Sequence, residues 1–130
     1  MICLDSDCLI DFLKGKREAV EIIEKHKDSV LTTEINVFEV FLGIYLKKEI
    51  SEKEESSARD FFNSTNILAF KKGSGKLAAK ILSNLSKNGQ VIGQNDCMTA
   101  AIMLKNQCNQ IITRNEKHFS KIKELKVIPY

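Results

Sequence analysis

The chain has no tryptophan, a single proline at Pro129 and no glycine- or serine-rich stretch long enough to act as a linker. Internal repeats and low-complexity segments are also absent. Nothing in the composition therefore marks a boundary between domains. Because 130 residues are enough to enclose one well-filled hydrophobic core, we expect a single domain that spans residues 1–130.

Long hydrophobic runs are missing as well. No segment approaches the roughly 20 consecutive apolar residues that cross a bilayer. The first residues include Asp5 and Asp7, where a secretory signal would carry basic side chains. We therefore expect a cytoplasmic protein without a membrane segment.

Neither sign of charge dominates, because 20 basic against 17 acidic residues leave a net charge of +3. This small excess permits a nucleic-acid partner but does not indicate one. No two cysteines form a Cys-x-x-Cys pair, and no histidine lies at a metal-ligand spacing from them. We therefore predict free thiols in the core, at Cys3, Cys8, Cys97 and Cys108. The pattern assigns the two histidines, His26 and His118, to surface or turn positions.

Short apolar segments alternate with longer helical patterns along the whole chain. The predicted strands cover residues 2–5, 29–32, 67–70, 110–113 and 126–129. The predicted helices cover residues 8–14, 17–26, 34–48, 51–64, 74–87, 96–107 and 116–122. Strands separated by helices of this length are typical of an α/β fold with a parallel sheet covered on both faces.

Two acidic residues stand at unusual places in this pattern. Asp5 ends the first strand, and ligands of parallel α/β folds bind beyond the carboxyl ends of the strands. Glu39 lies within a helix that is apolar almost all round, which predicts burial, and no basic residue within one turn can pair with it. Asn36 and Gly43 share its helix face, so this face is predicted to form the wall of a site. A hydrogen bond from a neighbouring loop to Glu39 would be the structural alternative.

One further acidic residue and one polar cluster follow the same logic. Asp96 is predicted in the first turn of a helix that Asn95 caps, where the helix dipole alone would also favour an acid. Thr113, Asn115 and Glu116 follow the fourth strand, where Asn115 could equally cap the next short helix. Carboxylates drawn together repel each other unless cations lie among them, and oxygen-only ligands select Mg²⁺ or Mn²⁺. Such an ion mainly assists phosphoryl chemistry.

Four segments together resemble the PIN-domain nucleases, and in particular the short VapC-type toxins of prokaryotic toxin–antitoxin pairs. They are LeuAspSerAspCysLeuIleAspPheLeuLysGly (4–15), LeuThrThrGluIleAsnValPheGluValPheLeuGlyIle (31–44), AsnAspCysMetThrAlaAla (95–101) and IleIleThrArgAsnGluLysHisPhe (111–119). The order and spacing match the family over nearly the whole chain. The resemblance implies a three-layer α/β/α sandwich around a mainly parallel sheet of four to five strands.

The resemblance also implies an activity, a Mg²⁺- or Mn²⁺-dependent endoribonuclease. Asp5 and Asp96 would be the principal metal ligands, and Glu39 would bind metal directly or through water and help to activate the attacking water. Weaker or supporting positions would be Ser6, Asn36, Thr113, Asn115 and Glu116. Water would attack the phosphorus in line with the leaving 3′-oxygen and leave a 5′-phosphate.

Two positions depart from the family pattern. The family often has aspartate where Asn115 stands, so a second metal would bind more weakly unless Glu116 compensates. Asp7 stands where asparagine or another small polar residue is commoner, and it would either add charge to the site or cap the first helix.

The implied partners are an RNA substrate and a cognate antitoxin protein, and the Phe and Leu residues over 34–64 suggest a homodimer or an antitoxin groove. A housekeeping RNA-processing nuclease and a degenerate binding module without catalysis are the alternatives. Asp5 and Asp7 also resemble the acid pair of haloacid-dehalogenase-type phosphatases, but Cys8-Leu9-Ile10 follow where a Thr or Val is required. A receiver domain is excluded more firmly, because no middle strand ends in aspartate.

Overall fold

Five strands and seven helices make up the fold, and the computed structural model describes all of residues 1–130. The strands are β1 (Ile2–Leu4), β2 (Val30–Thr33), β3 (Asn66–Leu68), β4 (Gln110–Ile112) and β5 (Lys126–Ile128). The helices are α1 (Ser6–Leu13), α2 (Arg17–Lys25), α3 (Glu34–Tyr45), α4 (Glu52–Asn63), α5 (Ser74–Lys87), α6 (Gln94–Lys105) and α7 (Glu116–Phe119). Every predicted element is present, with ends shifted by a few residues.

The strands form one sheet in the order β3-β2-β1-β4-β5, and every neighbouring pair is parallel. Cys3 of the central strand pairs with Leu31 on one side and with Ile111 on the other. The chain order reverses at β1, so β1 and β4 end at the topological switch point where ligands of such sheets bind. The topology therefore places the residues that follow these two strands side by side.

Helices cover both faces of the sheet, as the expected three-layer sandwich requires. Cys3, Leu31 and Ile111 point to one face, where they pack against buried residues of α5, α6 and α7. Ile2, Leu4 and Ile112 point to the other face, against buried residues of α1 to α4. Adjacent strand residues face opposite sides, so each strand contributes to both cores. The four cysteines are buried and unpaired, which confirms their predicted place in the core.

Glycines end two of the helices. Gly15 separates α1 from α2 with φ of 74°, and Gly89 follows α5 with φ of 67°. Both adopt the left-handed conformation that glycine tolerates without steric cost. Helix α4 begins as predicted, because the Ser51 hydroxyl accepts a hydrogen bond from the Glu54 N–H. None of the seven helices is long and apolar enough to cross a membrane.

Helix α3 differs most from its prediction. It ends at Tyr45 rather than near residue 48, and its buried residues are only Asn36, Val40 and Ile44. The large apolar side chains on its remaining surface are exposed, at Phe38, Leu42 and Tyr45, and so is Leu46, which directly follows the helix. The helix is apolar almost all round, but a single copy of the chain buries only one of its faces.

Candidate active site

Asp5 lies directly after β1, at the centre of the sheet edge, and only 5% of it is exposed. Its N–H donates to the Ile112 carbonyl at 3.1 Å, which extends the β1–β4 pairing to this residue. The Thr113 hydroxyl donates to Oδ2 at 2.7 Å, and the Asn36 amide donates to Oδ1 at 3.2 Å. Both carboxylate oxygens are therefore held by donors from neighbouring elements.

Asn36 is fully buried and joins three parts of the site. Its Oδ1 accepts from the Thr33 N–H and hydroxyl, at 3.3 and 2.7 Å, in a capping box that starts α3. Its Nδ2 donates both to Asp5 and to the Ser6 hydroxyl, at 3.0 Å. One amide thus fixes the start of the helix and the orientation of the buried acid. The sequence signal was available, since Thr33 and Asn36 have capping-box spacing, but with asparagine in place of Glu or Gln.

Glu39 is half-buried rather than buried, which corrects the sequence expectation. Its Oε1 accepts a hydrogen bond from the Ser6 hydroxyl at 2.7 Å. The carboxylate stays partly hydrated because the neighbouring surface of α3 is open. Gly43, one turn further on, has open space where a Cβ would stand, so no close contact requires glycine there.

Asp7 is part of the site, as the first of its two predicted roles requires. Its Oδ2 accepts from the Arg114 N–H at 3.0 Å and its Oδ1 from the Cys8 N–H at 2.7 Å. The Thr113 hydroxyl lies 3.3 Å from Asp7 Oδ2 and accepts from the Asn115 N–H at 2.8 Å. Asp7 therefore adds negative charge beside Asp5, and its side chain does not cap α1, whose N-cap residue is Asp5.

The pKa values of the two neighbouring acids are both raised, mainly by burial. Burial raises the pKa of Asp5 to about 7, the charge of Asp7 acts in the same direction, and the hydrogen bond from Thr113 offsets part of the rise. Burial also raises the pKa of Asp7 above its usual range. No lysine or arginine forms an ion pair with Asp5, Asp7 or Glu39. The site thus holds several acids with little positive charge to balance them.

Asp96 lies in the first turn of α6, as predicted, and its side chain is 16% exposed. The N-cap of this helix is Gly93 and not Asn95, because the helix starts two residues earlier than expected. Asp96 Oδ2 accepts from the Asn115 amide at 3.4 Å and lies 2.8 Å from His118 Nδ1.

His118 is the site residue that the sequence analysis missed. Its side chain is 39% exposed, in keeping with the predicted surface position, but that assignment overlooked the contacts of its ring nitrogen, which also lies 2.8 Å from the Asn115 amide nitrogen. The available signal was its spacing three residues after Asn115, one turn along α7. Glu116 is exposed and makes none of these hydrogen bonds.

A continuous hydrogen-bond network therefore joins the three predicted acids at one sheet edge, in the order Glu39, Ser6, Asn36, Asp5, Thr113, Asn115 and Asp96. The structure has no group of three or more His, Cys, Asp or Glu side chains that could hold one metal ion, so the metal-ligand assignment stays a prediction. The donor chemistry nevertheless fits a hard cation, since carboxylate, hydroxyl and amide oxygens are its preferred ligands.

Comparison with known proteins gives a consistent family. The sequence profile of the PIN domain matches residues 2–125. No curated protein sequence matches significantly.

Solved structures of several other proteins share the fold. VapBC2 from Rickettsia felis, bound to a promoter DNA fragment, is 20% identical with a TM-score of 0.87 over 100% of this chain and 99% of that chain. VapBC-1 from nontypeable Haemophilus influenzae is 24% identical with a TM-score of 0.81 over 99% and 98%. VapC20 from Mycobacterium tuberculosis, described as a Sarcin-Ricin loop cleaving toxin, is 11% identical with a TM-score of 0.61 over 85% and 87%.

Proposed function

The chain belongs to the PIN-domain family, and from this premise we propose that it is a metal-dependent endoribonuclease. One observation carries the proposal: Asp5, Glu39 and Asp96, from three separate parts of the sequence, join one hydrogen-bond network at the carboxyl edge of the sheet. A buried acid with a pKa near 7 and no basic partner is costly to the fold, so a role at this position explains why it is there.

The contacts of the residues support a role for each of them. Asp5 and Asp96 are the principal ligands, and Mg²⁺ or Mn²⁺, when bound, lowers the pKa of a coordinated water and offsets charge on the phosphate oxygens. Thr113 and Asn36 hold the Asp5 carboxylate in a single orientation. Ser6 orients Glu39, whose half-buried carboxylate can take a proton from the attacking water.

RNA cleavage tests this assignment directly. Purified protein is expected to cut RNA with Mg²⁺ or Mn²⁺ and to stop in EDTA. Asp5→Asn and Asp96→Asn are expected to reduce cleavage at least about 1000-fold, because each removes a charged ligand. Asp60→Asn, which changes an exposed acid on α4, is the matched control and should cut like wild type.

The result also distinguishes the alternatives. Cleavage that survives Asp5→Asn would show a contaminating nuclease and contradict the assignment. RNA binding without cleavage, in wild type and variants alike, would instead support the degenerate binding module.

We further propose that the protein acts as the toxin of a cytoplasmic toxin–antitoxin pair. Two of the structural neighbours are described as VapBC structures and the third as a Sarcin-Ricin loop cleaving toxin, which supports this proposal. The chain offers an antitoxin a groove of about 500 Å³ between α1, α3 and α4. Its apolar lining includes Ile10, Leu13, Val40 and Ile44. Lys14 and Lys53 add positive charge, whereas Lys47 pairs with Glu54 within the groove. This surface suits an amphipathic segment that carries acidic residues.

Expression in a prokaryotic host tests the toxin role. Wild type should arrest growth, Asp5→Asn should not, and co-expression of the protein encoded next to this gene should restore growth. If an active wild type leaves growth unchanged, the housekeeping RNA-processing role replaces the toxin role.

The exposed apolar side chains of α3 support a homodimer. Phe38, Leu42, Tyr45 and Leu46 lie at i, i+4, i+7 and i+8, so they share one side of the helix. Contiguous exposed apolar residues of this kind mark interaction surfaces in water.

A further inference from the structure

The imidazole of His118 contacts two site residues but has no part in the proposed mechanism. Its Nδ1 lies 2.8 Å from Asp96 Oδ2 and 2.8 Å from Asn115 Nδ2, and these two atoms lie 3.4 Å apart. Three polar side-chain atoms therefore form a small triangle at the start of α6 and α7. The side chain of His118 is 39% exposed, so solutes can reach the triangle from solvent.

Hydrogen bonds within the triangle cannot satisfy all three atoms at once. If Nδ1 carries a proton, it donates to Asp96 and then opposes the N–H of the Asn115 amide. If Nδ1 is unprotonated, it accepts a hydrogen bond from the Asn115 amide. Its lone pair then also faces the Asp96 carboxylate oxygen, which is itself an acceptor and cannot donate to it. A 180° flip of the Asn115 side-chain amide exchanges its two terminal atoms, so that Oδ1 takes the position of Nδ2. The triangle then consists of three acceptors, which only a cation or a donated proton can satisfy.

The size of the triangle matches one face of a coordination octahedron. Divalent ions of this size bind ligands at about 2.1 Å, which sets neighbouring ligand atoms about 3 Å apart. The three separations of 2.8, 2.8 and 3.4 Å bracket that value. The three atoms thus have the spacing of ligands to one ion.

The fold holds these side chains in place before any ligand arrives. Phe119 is fully buried in the core and anchors α7. The Asn115 N–H donates to the Thr113 hydroxyl at 2.8 Å, and the His118 N–H donates to the Asn115 carbonyl at 3.2 Å. His118 therefore approaches Asp96 from a rigid turn rather than from a mobile surface segment.

We propose that His118 is a nitrogen ligand of the metal site, together with Asp96 and the Asn115 amide oxygen, and that it makes the site prefer Mn²⁺ to Mg²⁺. The inference rests on the proposed function, because it assumes that Asp96 binds metal. Imidazole suits transition ions, whereas Mg²⁺ favours oxygen ligands and retains its waters. The nitrogen ligand also adds a second donor beside the Asn115 amide oxygen, which brings no charge to the site.

Metal binding, measured without any cleavage assay, tests the proposal. EDTA-stripped protein is titrated with Mn²⁺ or Mg²⁺ by isothermal calorimetry, for wild type, His118→Asn and His26→Asn. We expect His118→Asn to lose about 10-fold or more in Mn²⁺ affinity, with a change in Mg²⁺ affinity of less than about threefold. His26→Asn alters the only other histidine in the chain and should bind both ions like wild type.

Pulsed electron paramagnetic resonance of bound Mn²⁺ separates ligation from positioning. Wild type and His26→Asn should show the ¹⁴N coupling of a coordinated imidazole, and His118→Asn should lose it. Asparagine can still donate a hydrogen bond to Asp96, so a residue that only positions Asp96 would leave Mn²⁺ affinity unchanged in His118→Asn. Far-UV circular dichroism and Tm verify that the variant is folded.

Two results would overturn the inference in distinguishable ways. If Mn²⁺ binds wild type and supports cleavage but shows no ¹⁴N coupling, His118 is not a ligand and the nuclease assignment stands. If neither ion binds wild type and no cleavage occurs, the inference and the proposed function fail together.

Discussion

At the scale of single residues, two buried threonines make opposite contributions. The Thr113 hydroxyl donates to Asp5 and accepts from Asn115, whereas the Thr99 hydroxyl on α6 is buried without any hydrogen-bond partner. Burial of a hydroxyl is costly unless a hydrogen bond compensates for it. The same substitution should therefore have different consequences at the two positions.

We predict that Thr113→Val lowers RNA cleavage about 10- to 100-fold, because Asp5 loses the donor that orients it. The matched control, Thr99→Val, should retain activity and equal or exceed wild-type stability, because it removes an unsatisfied polar atom. Cleavage rates and thermal melts of both variants provide the measurement. Equal activity in Thr113→Val and wild type would contradict the role given to Thr113.

Asp5 itself illustrates a conflict between stability and function. Burial and the charge of Asp7 raise its pKa to about 7, so its ionised form destabilises the fold unless a cation balances it. Asparagine has nearly the same shape and carries no charge. At position 5 it can still accept the hydrogen bond from Asn36.

We predict that Asp5→Asn raises Tm by about 5 °C in EDTA at pH 8 and that Mg²⁺ or Mn²⁺ reduces this gain by stabilising wild type alone. Differential scanning calorimetry with and without the ion provides the test. Asp60→Asn should have the same Tm as wild type both in EDTA and with the ion. A lower Tm for Asp5→Asn than for wild type in EDTA would show that the ionised Asp5 carboxylate does not destabilise the fold.

At the scale of secondary-structure elements, Asp11 connects α1 to two distant segments. It is 3% exposed, and it pairs with Lys16 at 3.0 Å and with the Arg114 Nε at 3.2 Å. The hydroxyl of Tyr130, the last residue, donates to it at 2.8 Å. Burial alone would raise the pKa of Asp11, but the hydrogen bonds from Lys16 and Tyr130 and the charge of Arg114 outweigh it and leave the pKa below the usual range.

We predict that Asp11→Asn lowers the free energy of unfolding at pH 7 by about 2 kcal/mol, because it removes the charge that three partners share. A depressed pKa contributes stability above the unfolded-state value of about 3.9 and loses that contribution as pH falls through the folded-state value. The difference between variant and wild type should therefore shrink below pH 4. Urea unfolding from pH 3 to 7 measures it, with the exposed Asp28→Asn as control. A difference that stays constant over this range would contradict the ion-pair explanation.

At the scale of the whole molecule, the exposed side of α3 is the surface that we propose for dimerisation. Leu42 and Leu46 are 43% and 74% exposed, next to Phe38 and Tyr45. Removing such a surface from water would stabilise a dimer, with a gain that grows with the apolar area buried.

We predict that wild type sediments as a dimer and that Leu42→Glu with Leu46→Glu yields a monomer, because charged residues disfavour burial in an apolar interface. Analytical ultracentrifugation at micromolar concentration provides the test. Val91→Glu changes another exposed apolar residue, outside α3, and should leave the dimer intact. A monomeric wild type would remove the homodimer from the proposal.

Much of this protein follows from its sequence alone. The alternation of strands and helices, the turns at Gly15 and Gly89 and the buried cysteines depend on local patterns of polarity and backbone freedom, which act over a few residues. The positions of Asp5 and Asp96 at element ends follow from the same patterns.

The tertiary structure decided which of these residues meet. Strand order brings Thr113 to Asp5 across 108 positions, and the packing of α7 brings His118 to Asp96 across 22 positions. Local patterns do not predict which distant residue either side chain will contact. Local patterns also did not determine burial. Glu39 lies in an apolar helix yet is half-buried, whereas Asp11, which no sequence pattern marks as unusual, is buried. Periodicity describes the helix itself, but only the packing of neighbouring elements determines which of its sides water reaches.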